Sequence, residues 1–408
     1  MWLHPPVSDH QPPALDAAAP SVSGRLVTGR FAIVTAATFA YFLAIGSLLP
    51  TLPKYVEDRL GGGGVAIGLV AGSFAVAAAL VRPWAGRLGD RYGRRVLLSG
   101  GALLVAVSVL GYTQVDALPG LVLLRFLTGL GEAAVFVGAA TATQDLAPPD
   151  RRGEAASYFS LALYLGLALG PALGEHVADQ HGYHEVWVVA ATAALAAAVL
   201  GLGTPAAPSL SKPTGRLLHP AALRPGLVLM LGLIPFTGFS AFLAVYGPDV
   251  GLDKTAPVFF AYAASVLCIR LFGAKLPDRL GWRRASTIAL AAVSTGALVV
   301  AAWASVAAIW IAAGCLAIGM SLLYPALFSA ALEDVPDDER GQAVGTFSLF
   351  FDLAQGLGAP FLGLIVALSG ERGAFLASAA IASCGFLAQR RVEPAADQPT
   401  VATVSPAG

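Results

Sequence analysis

Twelve runs of mostly apolar residues, each about 20 residues long, succeed one another along this chain, and nothing constrains its fold more. A helix of that length crosses the ~30 Å hydrocarbon core of a bilayer while satisfying its own backbone hydrogen bonds. The runs fall near 31–53, 65–84, 96–115, 118–143, 155–175 and 186–204. A second set follows near 225–246, 257–274, 285–303, 307–331, 342–367 and 373–389. Only 12% of residues are charged, against about 25% in a soluble domain, and mean hydropathy is +0.72. Such a surface cannot face water, so the sequence predicts an all-α membrane protein. The formal net charge of zero offers no basic excess for nucleic acid. Cys268, Cys315 and Cys384 sit inside apolar runs, as free thiols would.

Between the sets, the segment from Thr204 to Gly226 is rich in proline and basic residues, which marks a linker. The expected division is a cytoplasmic tail over 1–30, a six-helix half over 31–204, a cytoplasmic linker over 205–224, a second half over 225–390 and a tail over 391–408. The Pro-rich start has no cationic and apolar succession of the kind a signal peptide carries. With both termini in the cytoplasm, eighteen Lys and Arg fall inside and only Lys54, Arg59, Lys254 and Arg372 outside. Cytoplasmic loops collect such residues, which fixes the expected orientation. Arg82, Arg125 and Arg270 lie within the runs or at their edges.

The halves superimpose on adding 188 to the residue number. Arg82 then maps to Arg270, Asp90 to Asp278, Arg91 to Arg279, Gly93 to Gly281, Asp150 to Asp338, Gly153 to Gly341 and Gly170 to Gly358. Two amphipathic arrays would share hydrophobicity by chance, but not matched Asp-Arg-x-Gly and Arg-Gly loops. Parallel six-helix repeats suit a transporter whose site lies between them at the midplane.

The loop expected after the second run reads GRLGDRYGRR, with Gly86, Gly89, Asp90, Arg91, Gly93, Arg94 and Arg95, and its echo is AKLPDRLGWRR, with Asp278, Arg279 and Gly281. This pattern resembles the signature loop of the major facilitator superfamily, over essentially all of residues 31–390. The resemblance implies twelve transmembrane helices in two pseudo-symmetric six-helix bundles. It also implies that these residues latch a cytoplasmic gate and that the protein works as a monomer. A plain positive-inside anchor is the alternative. The second copy has Ala274 and Pro277 where the first has Gly86 and Gly89.

Three runs carry further signals. RFLTGLGEAA holds Arg125 and Glu132 two helical turns apart. Charges at such depth are costly and face a cavity or a partner, so the choice lies between a coupling site and a structural ion pair. GLALGPALG holds Gly166, Gly170, Pro171 and Gly174. It resembles the span-5 signature of drug–proton antiporters, and tight helix packing is the alternative. SLFFDLAQGLGAP holds Asp352 and Gln355. Carboxylates in a low-dielectric site hold protons more readily than in water, so Glu132 and Asp352, with Arg125, form the expected proton-coupling set. Tyr41, Arg125, Glu132, Asp352 and Gln355 are the expected cavity residues. The first run carries no acid, only Tyr41 among small residues, unlike many exporters of this kind.

His176, His181 and His184 cluster near Glu175, Asp179 and Glu185 in an expected outer loop, read as a solvated polar segment rather than a metal site. No phosphate-binding loop or catalytic motif is present, so the sequence predicts no enzyme, no metal and no cofactor, with an ion or substrate gradient as driving force. The whole is similar to bacterial efflux-type permeases of the inner membrane. That implies a proton-coupled exporter of small hydrophobic or amphipathic compounds. An uptake permease or uniporter, with Arg125 holding an anionic metabolite, and a non-transporting sensor are the other readings.

Overall fold

The computed structural model describes residues 26–148, 151–205, 218–273, 280–333, 335 and 340–390. All regular structure among them is helical. The elements are α1 (Gly29–Asp58), α2 (Gly64–Tyr92), α3 (Gly101–Gly111, led in by a π-turn Val96–Gly100), α4 (Leu118–Asp145), α5 (Arg152–His181) and α6 (Tyr183–Gly201). The second half contains α7 (Pro220–Asp249), α8 (Ala256–Phe272), α9 (Trp282–Ala302), α10 (Val306–Leu332) and a last helix Arg340–Arg390. That last helix breaks at Gly370, whose φ of +73° is left-handed. Its arms, 340–369 and 371–390, are α11 and α12, so the described residues contain the twelve spans expected.

Local chemistry sets several ends. Thr28 and Ser305 accept from backbone N–H groups of the first turns of α1 and α10, and prolines open α4, α7 and α8. Both placements satisfy or remove donors that a helix start leaves unpaired. The repeat is visible in the backbone. Gly93 and Gly281, 188 apart, both have positive φ, as do Gly182 and Gly370. Glycine is needed there because a Cβ clashes in that region.

Each half buries its apolar faces inward and leaves a belt of large apolar side chains outside. Leu80, Val107, Leu123, Val199 and Leu364 are all about half exposed or more. An outward apolar belt around satisfied helices is what a lipid-facing surface requires.

The two most extensive crossings between the halves are α2 with α11 and α5 with α8, and the offset of 188 exchanges one for the other. The α2–α11 crossing is glycine-lined. A Cβ on Gly68 would sit 2.5 Å from the Ala359 carbonyl oxygen, and one on Gly72 or Gly64 would meet Pro360 or Val366. Within the first half, Gly166, Gly170 and Gly174 lay α5 against α1, where a Cβ would strike the backbone of Leu43, Gly46 and Ser47 respectively.

Two expectations about loops are corrected. Gly86 to Tyr92 continue α2, and only Gly93 leaves it, because the chain turns where φ reaches +89°. The histidine-containing segment is likewise no loop: α5 runs to His181 and α6 begins at Tyr183. Most of the expected tails and linker (1–25, 206–217 and 391–408), with Asp278 and Arg279, lie outside the described residues, as does the Asp90 side chain.

Candidate transport site

α2, α4 and α11 each bring one ionisable side chain to a common point. Arg82 of α2 places Nε 2.7 Å from Oδ2 of Asp352 and Nη2 3.3 Å from Oε2 of Glu132. All three side chains are at most 11% exposed. The Arg82 guanidinium also lies 4.8 Å from the centre of the Phe136 ring, one turn beyond Glu132. The planar fork of arginine suits this arrangement, since different nitrogens can serve different carboxylates. One cation thus holds two carboxylates, one from each half of the chain.

Arg125 occupies a separate position. Its guanidinium stacks 4.4 Å over Phe74 of α2, and Nε points to the Val70 carbonyl at 3.5 Å. Nη1 is buried without a hydrogen-bond partner among the described residues. The expected alternative of an Arg125–Glu132 ion pair is therefore corrected: the partner of Glu132 is Arg82. Seven residues along a helix is a rise of about 10.5 Å, which keeps two side chains on one face but out of contact.

Tyr41 of α1 is fully buried, its hydroxyl has no partner among the described residues, and it lies within electrostatic reach of Glu132, Arg125 and Arg82. Gln355 is half-buried one turn beyond Asp352. The structure thus gathers Arg82, Glu132 and Asp352 directly, with Tyr41 and Arg125 nearby.

At the end of the bundle where α1 passes to α2, polar contacts close the halves together. Glu175 of α5 is buried, and its Oε1 accepts from Thr255 N at 2.8 Å, Thr255 Oγ1 at 2.5 Å and Ala256 N at 3.1 Å. It therefore caps α8 of the other half, where a helix start offers donors and positive potential. Lys254 Nζ lies 2.7 Å from Asp179 Oδ2. The bond to Asp179 and its negative charge raise Lys254 above the usual lysine range. Within the first half, Tyr183 donates to Asp58 at 2.6 Å. Among the described residues no group of three or more His, Cys, Asp and Glu could hold a metal.

At the opposite end a cavity of about 230 Å³ lies between α5, α8 and α10, lined by Ser157, Ser160, Arg270 and Ser321 among others. Near the same end, Arg94 pairs with Asp145 at 3.1 Å and Arg95 Nε donates to the Thr204 carbonyl at 2.9 Å. Both contacts stay within the first half. Gly89 packs against Leu97 so closely that a Cβ would meet its Cδ1 at 2.5 Å.

Sequence reasoning missed Arg82 as the centre and Glu175 as a cap. The signal for Arg82 was an arginine inside an apolar run with no acid within four residues, which must find its counter-charge on another helix.

The family model of the Major Facilitator Superfamily matches residues 34–359 and 283–405. An uncharacterized MFS-type transporter of Salmonella typhimurium is 32% identical over 363 residues, covering 86% of this chain and 93% of the relative. Another from Pseudomonas aeruginosa is 33% identical over 395 residues, covering 92% and 95%. Among solved structures, a point mutant of the nucleoside transporter NupG superimposes with a TM-score of 0.76 at 13% identity, over 90% of this chain and all of that one. A POT family transporter with a thioalcohol-conjugated peptide gives 0.74 at 14%, over 88% and 94%. These two likenesses show the fold. The chain belongs to the major facilitator superfamily: it is a multi-pass membrane transporter of small molecules, and not an enzyme.

Proposed function

We propose that this transporter is a proton-coupled exporter of small hydrophobic or amphipathic compounds, working by alternating access. One observation carries the proposal: Arg82 is shared between Glu132 of its own half and Asp352 of the other. With both carboxylates ionised the buried triad carries one excess negative charge, and a single proton makes it neutral. The site thus has one place for one proton, on groups whose partner spans the two moving parts.

In the proposed cycle the halves, 31–204 and 225–390, rock about this point, joined by the linker 205–224 and flanked by the tails. The deprotonated pair ties α2 to α11. A proton on Asp352 replaces the charged contact by a weaker neutral one and lets the crossing part. Tyr41, Arg125 and Gln355, near the triad, are the proposed substrate-contacting residues there. The positive-inside orientation, with both termini in the cytoplasm of a bacterial inner membrane, makes the 230 Å³ cavity open to the cytoplasm. Gly86, Gly89, Asp90, Arg91, Gly93, Arg94 and Arg95, with Asp278, Arg279 and Gly281, form the gate that closes there in the opposite state.

The direction of transport rests on the span-5 resemblance of Gly166, Gly170, Pro171 and Gly174, whose glycines also serve the α1–α5 contact. Uptake or uniport of an anionic metabolite is the second reading, favoured by the unpartnered Nη1 of Arg125. The test is compound-triggered collapse of an imposed pH gradient in inverted vesicles, screened over cationic, neutral and anionic molecules. Export predicts a response in wild type that Glu132→Gln and Asp352→Asn lack. An equal response in both variants would remove the coupling assignment.

A further inference from the structure

Arg270 is the repeat counterpart of Arg82, and the two sites differ in their counter-charges. The offset of 188 pairs Tyr164 with Asp352 and Glu132 with Met320. Where Arg82 meets two carboxylates, the equivalent positions around Arg270 hold a phenol and a thioether. The pseudo-symmetric contact is kept: Arg270 lies 5.0 Å over the Tyr164 ring across the α5–α8 crossing, as Arg82 meets Asp352 across α2–α11. Among the described residues, no carboxylate pairs with Arg270. Its Nε is buried with no hydrogen-bond partner there, and a ring face compensates a guanidinium only partly.

A half-buried cation with no counter-ion among the described residues, in an apolar segment, is costly. This one lines the 230 Å³ cavity between α5, α8 and α10, beside Ser160 and Ser321. Arg82 is held by the two carboxylates Glu132 and Asp352, so that triad leaves no net positive charge for a substrate's acid group. Arg270 does.

The geometry points to Arg270 as the anion-binding residue of the substrate cavity, and so to a transported compound that is an amphipathic organic carboxylate whose acid group meets this guanidinium. This rests on the transport reading above and narrows its substrate class. The apolar wall from Leu267, Leu322 and Pro325 would receive the rest of such a molecule, while Tyr164 holds the guanidinium plane in place.

The test measures binding without any gradient, on the purified full-length protein in detergent. Thermal unfolding is followed at graded concentrations of several arylalkyl and alkyl carboxylates, each paired with its uncharged amide, and of phosphatidylglycerol. Wild type should bind at least one carboxylate about tenfold more tightly than its amide, the size expected for one charge-assisted hydrogen bond. Arg270→Gln should bring that ratio to about one, and Arg270→Lys should keep most of it. Tyr164→Asp supplies the missing counter-charge in the arrangement seen at Arg82. It should fold as wild type does and also bring the ratio to about one, which guards against a trivial folding defect in Arg270→Gln. No carboxylate preference in wild type, or a preference that survives both Arg270→Gln and Tyr164→Asp, would overturn the inference. Stabilisation by phosphatidylglycerol alone would overturn it too, assigning the site to a lipid phosphate. If the preference is absent while Glu132→Gln still abolishes compound-triggered proton movement, the anion site fails and proton coupling stands. The reverse pair of results leaves the anion site standing without coupling.

Discussion

Gly68→Ala tests whether the α2–α11 crossing must part during transport. The added methyl carbon would sit 2.5 Å from the Ala359 oxygen, 3.0 Å from the Pro360 Cα and 3.1 Å from the Ala359 carbonyl carbon. All three are backbone atoms, so no side chain can rotate away. Ordinary contact begins near 3.4 Å, so the helices must separate by about 0.9 Å, and overpacking of this kind costs about 1–3 kcal/mol. The intrinsic helix preference of alanine over glycine cancels, because α2 is helical in either arrangement. The penalty falls only on the conformation in which the crossing is closed, and it shifts that conformation's population by roughly 5- to 150-fold. The assay is zero-length carbodiimide coupling of Lys254 to Asp179, which lie 2.7 Å apart in this conformation, read by peptide mass spectrometry. Coupling should fall in Gly68→Ala and stay at the wild-type level in Gly314→Ala, where the new Cβ meets open space. Equal coupling in Gly68→Ala and wild type, at unchanged thermal stability, would refute the reasoning.

Arg82→Gln removes the one cation from two buried carboxylates; it should lower stability by about 3–5 kcal/mol, seen in thermal unfolding, and abolish pH-driven transport. Arg82→Lys should recover part of the stability and little of the coupling, because one ammonium cannot present separate nitrogens to Asp352 and Glu132. Glu175→Ala strips the cap from α8 and should cost about 1–2 kcal/mol by the same measurement, with Glu175→Gln costing less because an acceptor oxygen remains. The Lys254–Asp179 pair is exposed and salt-screened. Because Lys254 is raised in the folded state, its contribution is present below the ordinary lysine range and lost as pH climbs through the raised value. Lys254→Met should therefore match wild type more closely in strong alkali than at about pH 8, in unfolding scans across that window.

The twelve spans were legible because apolar run length in a bilayer is a strong constraint that needs no partner. The repeat was legible from fixed-offset Asp-Arg-x-Gly matches, and Gly93 and Gly281 carry it into the backbone as paired positive-φ turns. Glu132 and Asp352 stood out as the one acid in each of their apolar runs. What joins them did not, because Arg82 lies 50 residues from Glu132 and reaches Asp352 only through the α2–α11 crossing. The sequence offered Arg125 as neighbour, a choice that helical rise excludes. Glu175 read as one acid in a polar stretch, since its role depends on where α8 begins in the other half. Gly166, Gly170 and Gly174 were legible as close-approach positions, while the helix they approach, α1, could be learned only from the packing.

The most direct test of the account compares two modes of transport in one preparation of proteoliposomes, using a substrate found in the vesicle screen. Asp352→Asn keeps an acceptor for Arg82 and removes the titrating group. It should sustain exchange of labelled for unlabelled substrate, which needs no net proton movement, and lose accumulation driven by a pH gradient. Gradient-driven accumulation at the wild-type level, or equal loss of both modes, would contradict the assignment of the coupled proton to the Arg82–Glu132–Asp352 triad.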